Sequence, residues 1–572
     1  MTWYRFPIGA TAVASLCLLG CDPGKDVCGL DERQVGGECE SIVAHEVRLN
    51  SVGFLPDRIK RATLVGGSGA FQVVSDSGEV VFEGQAVAAP NSPDTGETNL
   101  QVADFSEVTQ TGRFRVVAEG AGDSPEFRIA PDVMVDVARV LLMGMYGQRC
   151  GTAVNIDYNG THFHHDACHL EDGLLDEFEK PNQKQPALCG WHDAGDYGKY
   201  VNNGSLSLAN MLFAWDQFPA LRAFEFGVED PRGLPQYLDE CRFQLDWLLG
   251  MQMEGGGVSD RVTTRTFDAM VSPEASIAPR YMAPITSTAT ADFTAVVAHA
   301  ARSFAGFDDE LAAQYREAAL AGWEFLKANP APISGGDGVS MRFTGGYWSS
   351  DADDRLWAAA EIWALTGDAE ALALFESKAN MLVIDQLWDW PNLNNLGTFT
   401  YLLADREGRD PELVSLLTTN LGRGLEQLQN TAMAHPYGRA TGFQYYWGIN
   451  GVLARTALNF GVYDQLVPDP KNKDAIAMAL DHLLGRNYYG RSFVTGIGHD
   501  AAFYPHHRPS VADSNPEPWP GLLVGGSWTR DTGPNARPGT MWVDAATDFN
   551  TNEIAINWNA AMIYAAAALL PE

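Results

Sequence analysis

Positive charge is scarce in this chain. Its 572 residues hold 39 Lys and Arg against 73 Asp and Glu, a formal net charge of −34 at pH 7. Such a surface repels a phosphate backbone, which excludes nucleic acid as a partner. Long apolar runs are lacking too: beyond the N-terminus no stretch is long enough to cross a bilayer. Cysteine is sparse, at eight residues, and no exact internal repeat is present. What the chain does have is 45% hydrophobic residues, enough for a substantial core, and a length that calls for a large domain plus a smaller one. Most of the 15 Trp in a chain of this size belong to that core, so aromatic content by itself assigns no ligand.

The first residues read as targeting. Arg5 is the only charge there, Ile8 to Leu19 is apolar, and Leu18-Leu19-Gly20-Cys21 follows. This resembles a bacterial lipobox, in which residues 1–21 are the signal and Cys21 is the lipid-bearing mature terminus; the bland alternative is an ordinary signal peptide cut nearby. An acylated terminus holds a protein on a membrane face without spanning it. Residues 22–43 read as a tether, in which Cys28 and Cys39 pair in an oxidising compartment. Cys189 and Cys241 are either buried thiols or a second bridge.

From 44 to 131 short β-rich runs alternate with turns. Ala62–Val65, Phe71–Val74, Val80–Phe82 and Phe114–Val117 are separated by segments such as Asp76-Ser77-Gly78. This spacing predicts a small all-β sandwich. From 132 to 572 the texture is helical: Ala291–Phe304, Glu310–Leu326, Arg355–Leu365, Ile449–Leu458, Lys473–Leu484 and Glu553–Leu570 carry apolar residues three and four apart. Long loops with Gly, Pro, Trp and His join them. Periodicity alone does not separate an (α/α) barrel from an irregular helical domain.

Three loop clusters carry chemistry. Trp191-His192-Asp193-Ala194-Gly195-Asp196 sets two carboxylates three residues apart across a glycine, able to converge on one water; an Asx-turn or a helix cap reads the same way. Ser492-Phe493-Val494-Thr495-Gly496, followed by Pro505-His506-His507-Arg508, offers hydrogen-bond donors on one loop, or simply a satisfied surface loop. Trp542-Val543-Asp544, Asp548-Phe549 and Asn552-Glu553 to Asn559-Ala560 place Glu553 at the start of an apolar helix. A helix dipole there lowers a carboxyl pKa, so an acid catalyst at Glu553 needs an apolar pocket to overcome it.

Together these clusters resemble glycoside hydrolase family 9. The third carries the family's C-terminal pattern at every fixed position, the second its Ser-Phe-Val-Thr-Gly…Pro-His-x-Arg element, and the first its Asp-Ala-Gly-Asp. Arg48-Leu49-Asn50-Ser51-Val52-Gly53-Phe54 resembles the immunoglobulin-like module that precedes the barrel in one branch, so the likeness spans about residues 46–572. The resemblance implies an all-α (α/α)6 barrel behind a small immunoglobulin-like sandwich. It implies Asp196 as general base, Asp193 holding the water and Glu553 as general acid. His506, Arg508, Trp447 and Asp544 are then sugar-binding candidates. The family inverts configuration, which requires carboxyl groups roughly 6.5–9.5 Å apart with a water between. Three positions depart from the pattern: Cys189 before Gly190-Trp191-His192, Tyr488 after Asn487, and Gly525-Gly526-Ser527-Trp528 for the usual Gly-Gly-Pro-Asn. The last two lie in loops that shape subsites and leave substrate length and identity open.

Cys150, Cys168, His169 and His192 form a soft N/S set suited to tetrahedral zinc. The alternatives are a Cys150–Cys168 disulfide, or His162, His164 or His165 as substitute ligands; the resemblance implies a structural zinc on the first set. Ser349, Ser350, Asp353 and Asp354 resemble a calcium site of the same family, or else cap a helix. No organic cofactor is expected. The resulting expectation is a secreted, lipid-anchored, monomeric endo-β-1,4-glucanase of the cell envelope acting on a β-glucan. The lack of a separate cellulose-binding module favours soluble or amorphous glucan over crystals. Competing readings are an exo-acting cellodextrinase or exo-β-glucosaminidase, a zinc hydrolase, and a non-catalytic glycan-binding lipoprotein.

Overall fold

The computed structural model describes residues 45–228, 233–334, 342–379, 384–529, 533 and 535–571, together with two short strands near the N-terminus. The signal, Cys21 and the expected Cys28–Cys39 pair lie outside the described residues. Strands β1 (Glu32–Val35) and β2 (Glu38–Ser41) pair antiparallel, with Glu32 opposite Ser41, where the sequence reads as a tether. This segment is a unit separate from Ala44–Glu572.

The sandwich has strands β3 (Val47–Arg48), β4 (Gly53–Phe54), β5 (Arg61–Val65), β6 (Ala70–Ser75), β7 (Val80–Gln85), β8 (Val87–Ala88), β9 (Leu100–Asp104), β10 (Gly112–Ala118), β11 (Gly122–Asp123) and β12 (Phe127–Ile129). One sheet runs β4-β12-β10-β6-β7, with β11 on β10, and the other runs β3-β5-β9-β8. Alternation decides the core: Phe114, Val116 and Ala118 of β10 point inward with Phe71 and Val73 of β6. Phe54 meets Phe105 and Phe127 edge-on at ring distances of 5.4 and 5.3 Å. All four runs expected as strands are strands.

The rest is helical. The long helices are α1 (Val133–Gly147), α2 (Val201–Gln217), α3 (Gln236–Met251), α4 (Ser287–Ser303), α5 (Asp309–Ala328), α6 (Ala352–Thr366), α7 (Ala369–Ala379), α8 (Asn394–Leu403), α9 (Pro411–Ala434), α10 (Ile449–Leu466) and α11 (Pro470–Leu483). The short α12 (Arg508–Ala512) and α13 (Phe549–Asn552) precede α14 (Ile556–Ala567). Packing closes a ring: α2 lies on α4, α4 on α6, α6 on α8, α8 on α10, α10 on α14 and α14 on α2. Helices α1, α3, α5, α7, α9 and α11 pack outside it, giving six helical hairpins and an (α/α)6 barrel. Composition follows position. Outer helix α9 buries one stripe of Leu413, Leu417, Leu421, Leu425 and Leu428, whereas inner α14 is buried all round.

The Arg48–Phe54 segment is the seam between sandwich and barrel. Asn50 Nδ2 donates to Asp481 Oδ1 (2.9 Å), Ser51 N to the Leu484 carbonyl (3.2 Å), and Arg48 to Tyr437 Oη. Gly485 sits there at φ +137°, and a Cβ would come within 2.4 Å of the Leu49 carbonyl, so only glycine allows this approach.

Candidate active site

The site is built by lacing three loops onto the short connector that leads into α14. Asp193 accepts from Ile556 N at 2.9 Å, and Ala194 bridges Ala555 antiparallel. On the connector's other side His506 bridges Glu553, with His506 N donating to the Asn552 carbonyl (2.8 Å), while Gly525 N donates to the Glu553 carbonyl (2.8 Å). Glu553 feels the charges of both Asp196 and Asp193, so the three carboxyls share one site. Gly195 is obligatory: a Cβ would meet the His506 carbonyl at 2.2 Å. Glu553 is not on the last helix. It follows α13 with an extended backbone (φ −67°, ψ 154°), three residues before α14 begins.

The three carboxyls sit in different surroundings. Asp193 is 3% exposed, and its oxygens accept from Asn203 Nδ2 (2.7 Å) and Tyr347 Oη (2.6 Å). Burial and the neighbouring Asp196 push its pKa up to about 7 against those two bonds. Asp196 is half-buried and accepts from Gly198 N (3.2 Å) and Tyr200 Oη (3.3 Å). Glu553 is also half-buried; desolvation first, then the charges of Asp196 and Asp193, raises it well above the ordinary carboxyl range despite Arg508 and the Gly195 N–H. Desolvation thus outweighs the helix dipole expected to lower it. The outcome is a glutamate whose environment favours its neutral form beside two aspartates in the same site.

Neighbouring groups fix this arrangement. Trp191 donates through its indole to Glu240 Oε1 (2.7 Å) and through its backbone to Gln244 Oε1 (2.7 Å), one turn apart on α3. His506 donates Nδ1–H to the Ala546 carbonyl (2.6 Å), leaving Nε2 for a ligand. Two expected sugar ligands have other partners. Arg508 is 6% exposed and its guanidinium is satisfied by backbone carbonyls: Gly195 (2.6 Å), Asp268 (2.9 and 3.2 Å) and Ala269 (3.2 Å). It clamps the Asp196 turn to the 265–271 loop, because a buried cation must be paired. Asp544 is 7% exposed and accepts from Arg491, Phe503 N, Tyr504 N and Asn552 Nδ2, so it props the His506 loop. Trp447 remains available at 36% exposed, 5.7 Å from the Phe549 ring. Asn203, Tyr347, Glu240 and Gln244 carry no motif, and sequence reading did not find them.

The metal candidate is assembled. Donor atoms of Cys150, Cys168, His169 and His192 all lie within 4.8 Å of one another. Cys150 Sγ is 3.6 Å from His169 Nδ1, Cys168 Sγ 3.8 Å from His192 Nε2, and the two nitrogens are 3.2 Å apart. A tetrahedral zinc with ordinary bond lengths has ligand edges of about 3.4–3.8 Å, so the donor set fits. Both cysteines are free thiols, as are Cys189 and Cys241, which removes the disulfide alternatives for these four. His162 and His164 lie out on a hairpin beside Asp157 and Asn155, and His165 packs on Trp519. The expected calcium residues diverge. Asp353 Oδ2 accepts from Leu393 N (2.6 Å), Ser350 Oγ from Ala352 N (3.4 Å), and buried Asp354 turns inward, where Asp292 is the neighbouring charge.

A helical barrel that gathers Asp193, Asp196 and a Glu553 of raised pKa in one loop-built site fits a two-carboxylate glycoside hydrolase. Residues 136–566 match Glycosyl hydrolase family 9 and residues 43–123 the cellulase N-terminal ig-like domain. The chain belongs to glycosyl hydrolase family 9. It is 42% identical to Endoglucanase D of Acetivibrio thermocellus over 533 residues, 92% of this chain and 83% of that one. It is 29% identical to a cellodextrinase of Butyrivibrio fibrisolvens over 555 residues, covering 92% and 100%. Among solved structures, a metagenome-derived family 9 endoglucanase superposes with TM-score 0.83 at 33% identity, over 92% and 98% of the chains. A Zn-binding triple mutant of family 9 endoglucanase J30 gives 0.82 at 30%, over 90% and 99%.

Proposed function

We infer that this protein is an inverting endo-β-1,4-glucanase. The observation that carries the mechanism is Glu553, whose carboxyl is raised well above its ordinary range by desolvation and by the charges of Asp196 and Asp193. Water bound against Asp196 attacks the anomeric carbon from the face opposite the leaving group. Its proton passes to Asp196 as the new C–O bond forms, and Glu553 gives its proton to the departing glycosidic oxygen. Asp193, fixed by Tyr347 and Asn203, holds the water and keeps negative charge behind Asp196. His506 Nε2 offers a hydrogen bond to the sugar in the cleft.

Zinc on Cys150, Cys168, His169 and His192 supplies a rigid cross-link that joins the start of the site's first loop to its middle, and takes no part in bond breaking. Calcium at Ser349, Ser350, Asp353 and Asp354 stays a proposal that requires Asp353 and Asp354 to turn towards a common point. Export as a Cys21-anchored lipoprotein of the cell envelope, acting as a monomer, completes the reading. It is supported by the lipobox-like sequence.

The test is kinetic. Glu553→Gln and Asp196→Asn should each lower kcat on a soluble β-1,4-glucan by several orders of magnitude with the fold kept. Either variant within tenfold of wild type overturns the assignment. The likeness to a cellodextrinase supports exo action as the second reading. Product size separates the two: early release of mixed oligosaccharides supports endo action, and release of a single short product from the first minutes supports exo action.

A further inference from the structure

At the seam between sandwich and barrel two imidazoles meet nitrogen to nitrogen. His45, just ahead of β3, has its Nε2 3.1 Å from Nε2 of His499, with the rings edge-on. Asp500 brings its Oδ2 to 3.0 Å from the same His499 nitrogen. The backbone fixes both ends: His499 N donates to Ser51 Oγ (2.8 Å), Ser492 N to the His499 carbonyl (3.3 Å), and Arg48 Nε to the His45 carbonyl (3.2 Å). His45 Nδ1 lies 3.1 Å from the Asp123 carbonyl, which can only accept. Nδ1 therefore carries the hydrogen of the neutral ring, and Nε2 turns a bare lone pair on His499. His499 Nε2 thus faces two acceptors, a lone pair and a carboxylate, with one hydrogen to offer. A cation satisfies all three groups at once. Two bonds of about 2.0–2.1 Å to imidazole nitrogens span an edge of about 2.9–3.4 Å in octahedral or tetrahedral geometry. The observed 3.1 Å falls inside that span. The His499 side chain is 34% exposed, so an ion has access and water can complete its shell.

We propose that His45 and His499 form a second metal site, open to solvent and separate from the buried Cys/His set, which takes a divalent transition-metal ion such as Zn2+ or Ni2+. Imidazole nitrogens select these ions over Ca2+ and Mg2+, which take oxygen ligands. The Asp500 carboxylate places negative charge beside the ion. The ion joins the lead of the sandwich to a barrel loop, so its effect falls on the stability of the seam and not on bond breaking. His162 and His164, on their exposed hairpin, are the rival imidazoles; their Nδ1 atoms already face Asp157 Oδ1 (2.8 Å) and Asn155 Oδ1 (2.9 Å).

The test uses the full chain with zinc in the buried Cys/His set and Ca2+ held constant. Ni2+ is the probe, read by equilibrium dialysis with metal analysis and by the melting temperature. Wild type should take up one ion beyond the buried zinc and melt higher as Ni2+ is added. His45→Gln and His499→Gln should each weaken Ni2+ binding at least about tenfold, the loss that even outer-shell changes cause at metal sites, with kcat unchanged. Asp500→Asn should weaken it less, and His162→Ala/His164→Ala should bind as wild type does. Where a glutamine variant melts early without metal, the Ni2+-dependent rise is the quantity compared. Unchanged binding in both glutamine variants, or loss in His162→Ala/His164→Ala instead, means an adventitious ion only and overturns the proposal. So does a wild type that takes up no further ion at millimolar Ni2+.

Discussion

Removing one oxygen should show how the acid pair is tuned. Tyr347 Oη donates to Asp193 Oδ2 at 2.6 Å, a bond that favours the ionised carboxylate against burial and the charge of Asp196. Hydrogen bonds to charged groups contribute about 1.5–3 kcal/mol. At about 1.4 kcal/mol per pK unit, Tyr347→Phe should raise Asp193 by about one to two units from its value of about 7. Asp193 holds the water beside Asp196, so a proton kept on Asp193 withdraws the charge that orients that water. The acid limb of the kcat/KM profile should move to higher pH by about one to two units, with the plateau largely recovered above it. The assay is a pH series on a soluble glucan, with circular dichroism at each pH to confirm the fold. A uniform drop at every pH with an unmoved acid limb would refute the reasoning and reduce Tyr347 to a packing residue.

Other predictions follow from neighbouring contacts. Gly195→Ala should lose at least about a hundredfold in kcat, because the Cβ collides with the His506 carbonyl and pries the base turn from the acid connector; near-wild-type turnover would deny that lacing. Arg508→Lys replaces a fork whose Nε, Nη1 and Nη2 reach carbonyls on two separate loops with a single compact ammonium, so kcat should fall with the melting temperature, whereas a pure rise in KM would restore the sugar-binding role. Chelation, or the Cys150→Ser/Cys168→Ser pair, should lower the melting temperature by several degrees in calorimetry while leaving activity well below melting within a few fold; immediate loss of turnover in the cold would favour a catalytic metal. Asp481, buried at the seam, has its pKa pushed up to about 7, above its unfolded value, so its contribution is complete below about 4 and fades as pH rises through about 7. Asp481→Asn keeps an acceptor for Asn50 and should therefore narrow the fall in melting temperature between pH 5.5 and 8; an unchanged fall would place the charge elsewhere.

What the sequence disclosed depended on whether a residue's partner is near it in the chain. Asp193 and Asp196 share a turn, and His506 and Glu553 lie in motifs of fixed spacing, so they stood out as candidates before any fold was known. Asn203, Glu240 and Gln244 read as ordinary polar positions within helices, because what fixes them is closure of the ring, which brings α2 and α3 against the Trp191 turn. The same closure blurs the inner helices. Helix α2 begins Val201-Asn202-Asn203-Gly204-Ser205 and is buried on every side for most of its length, so no apolar stripe marks it. Arg508 and Asp544 show the converse limit. Their residue types suit sugar binding, yet Arg508 donates to backbone carbonyls and Asp544 accepts from Arg491, Asn552 and two backbone amides, partners distant in the chain. A motif therefore identifies which side chains a site needs, while burial and the surrounding carbonyls and amides decide which of them touch substrate and which hold the others in place. Arg508, at the start of α12, is drawn to the carbonyls of Gly195, Asp268 and Ala269, contacts that no motif spacing announces.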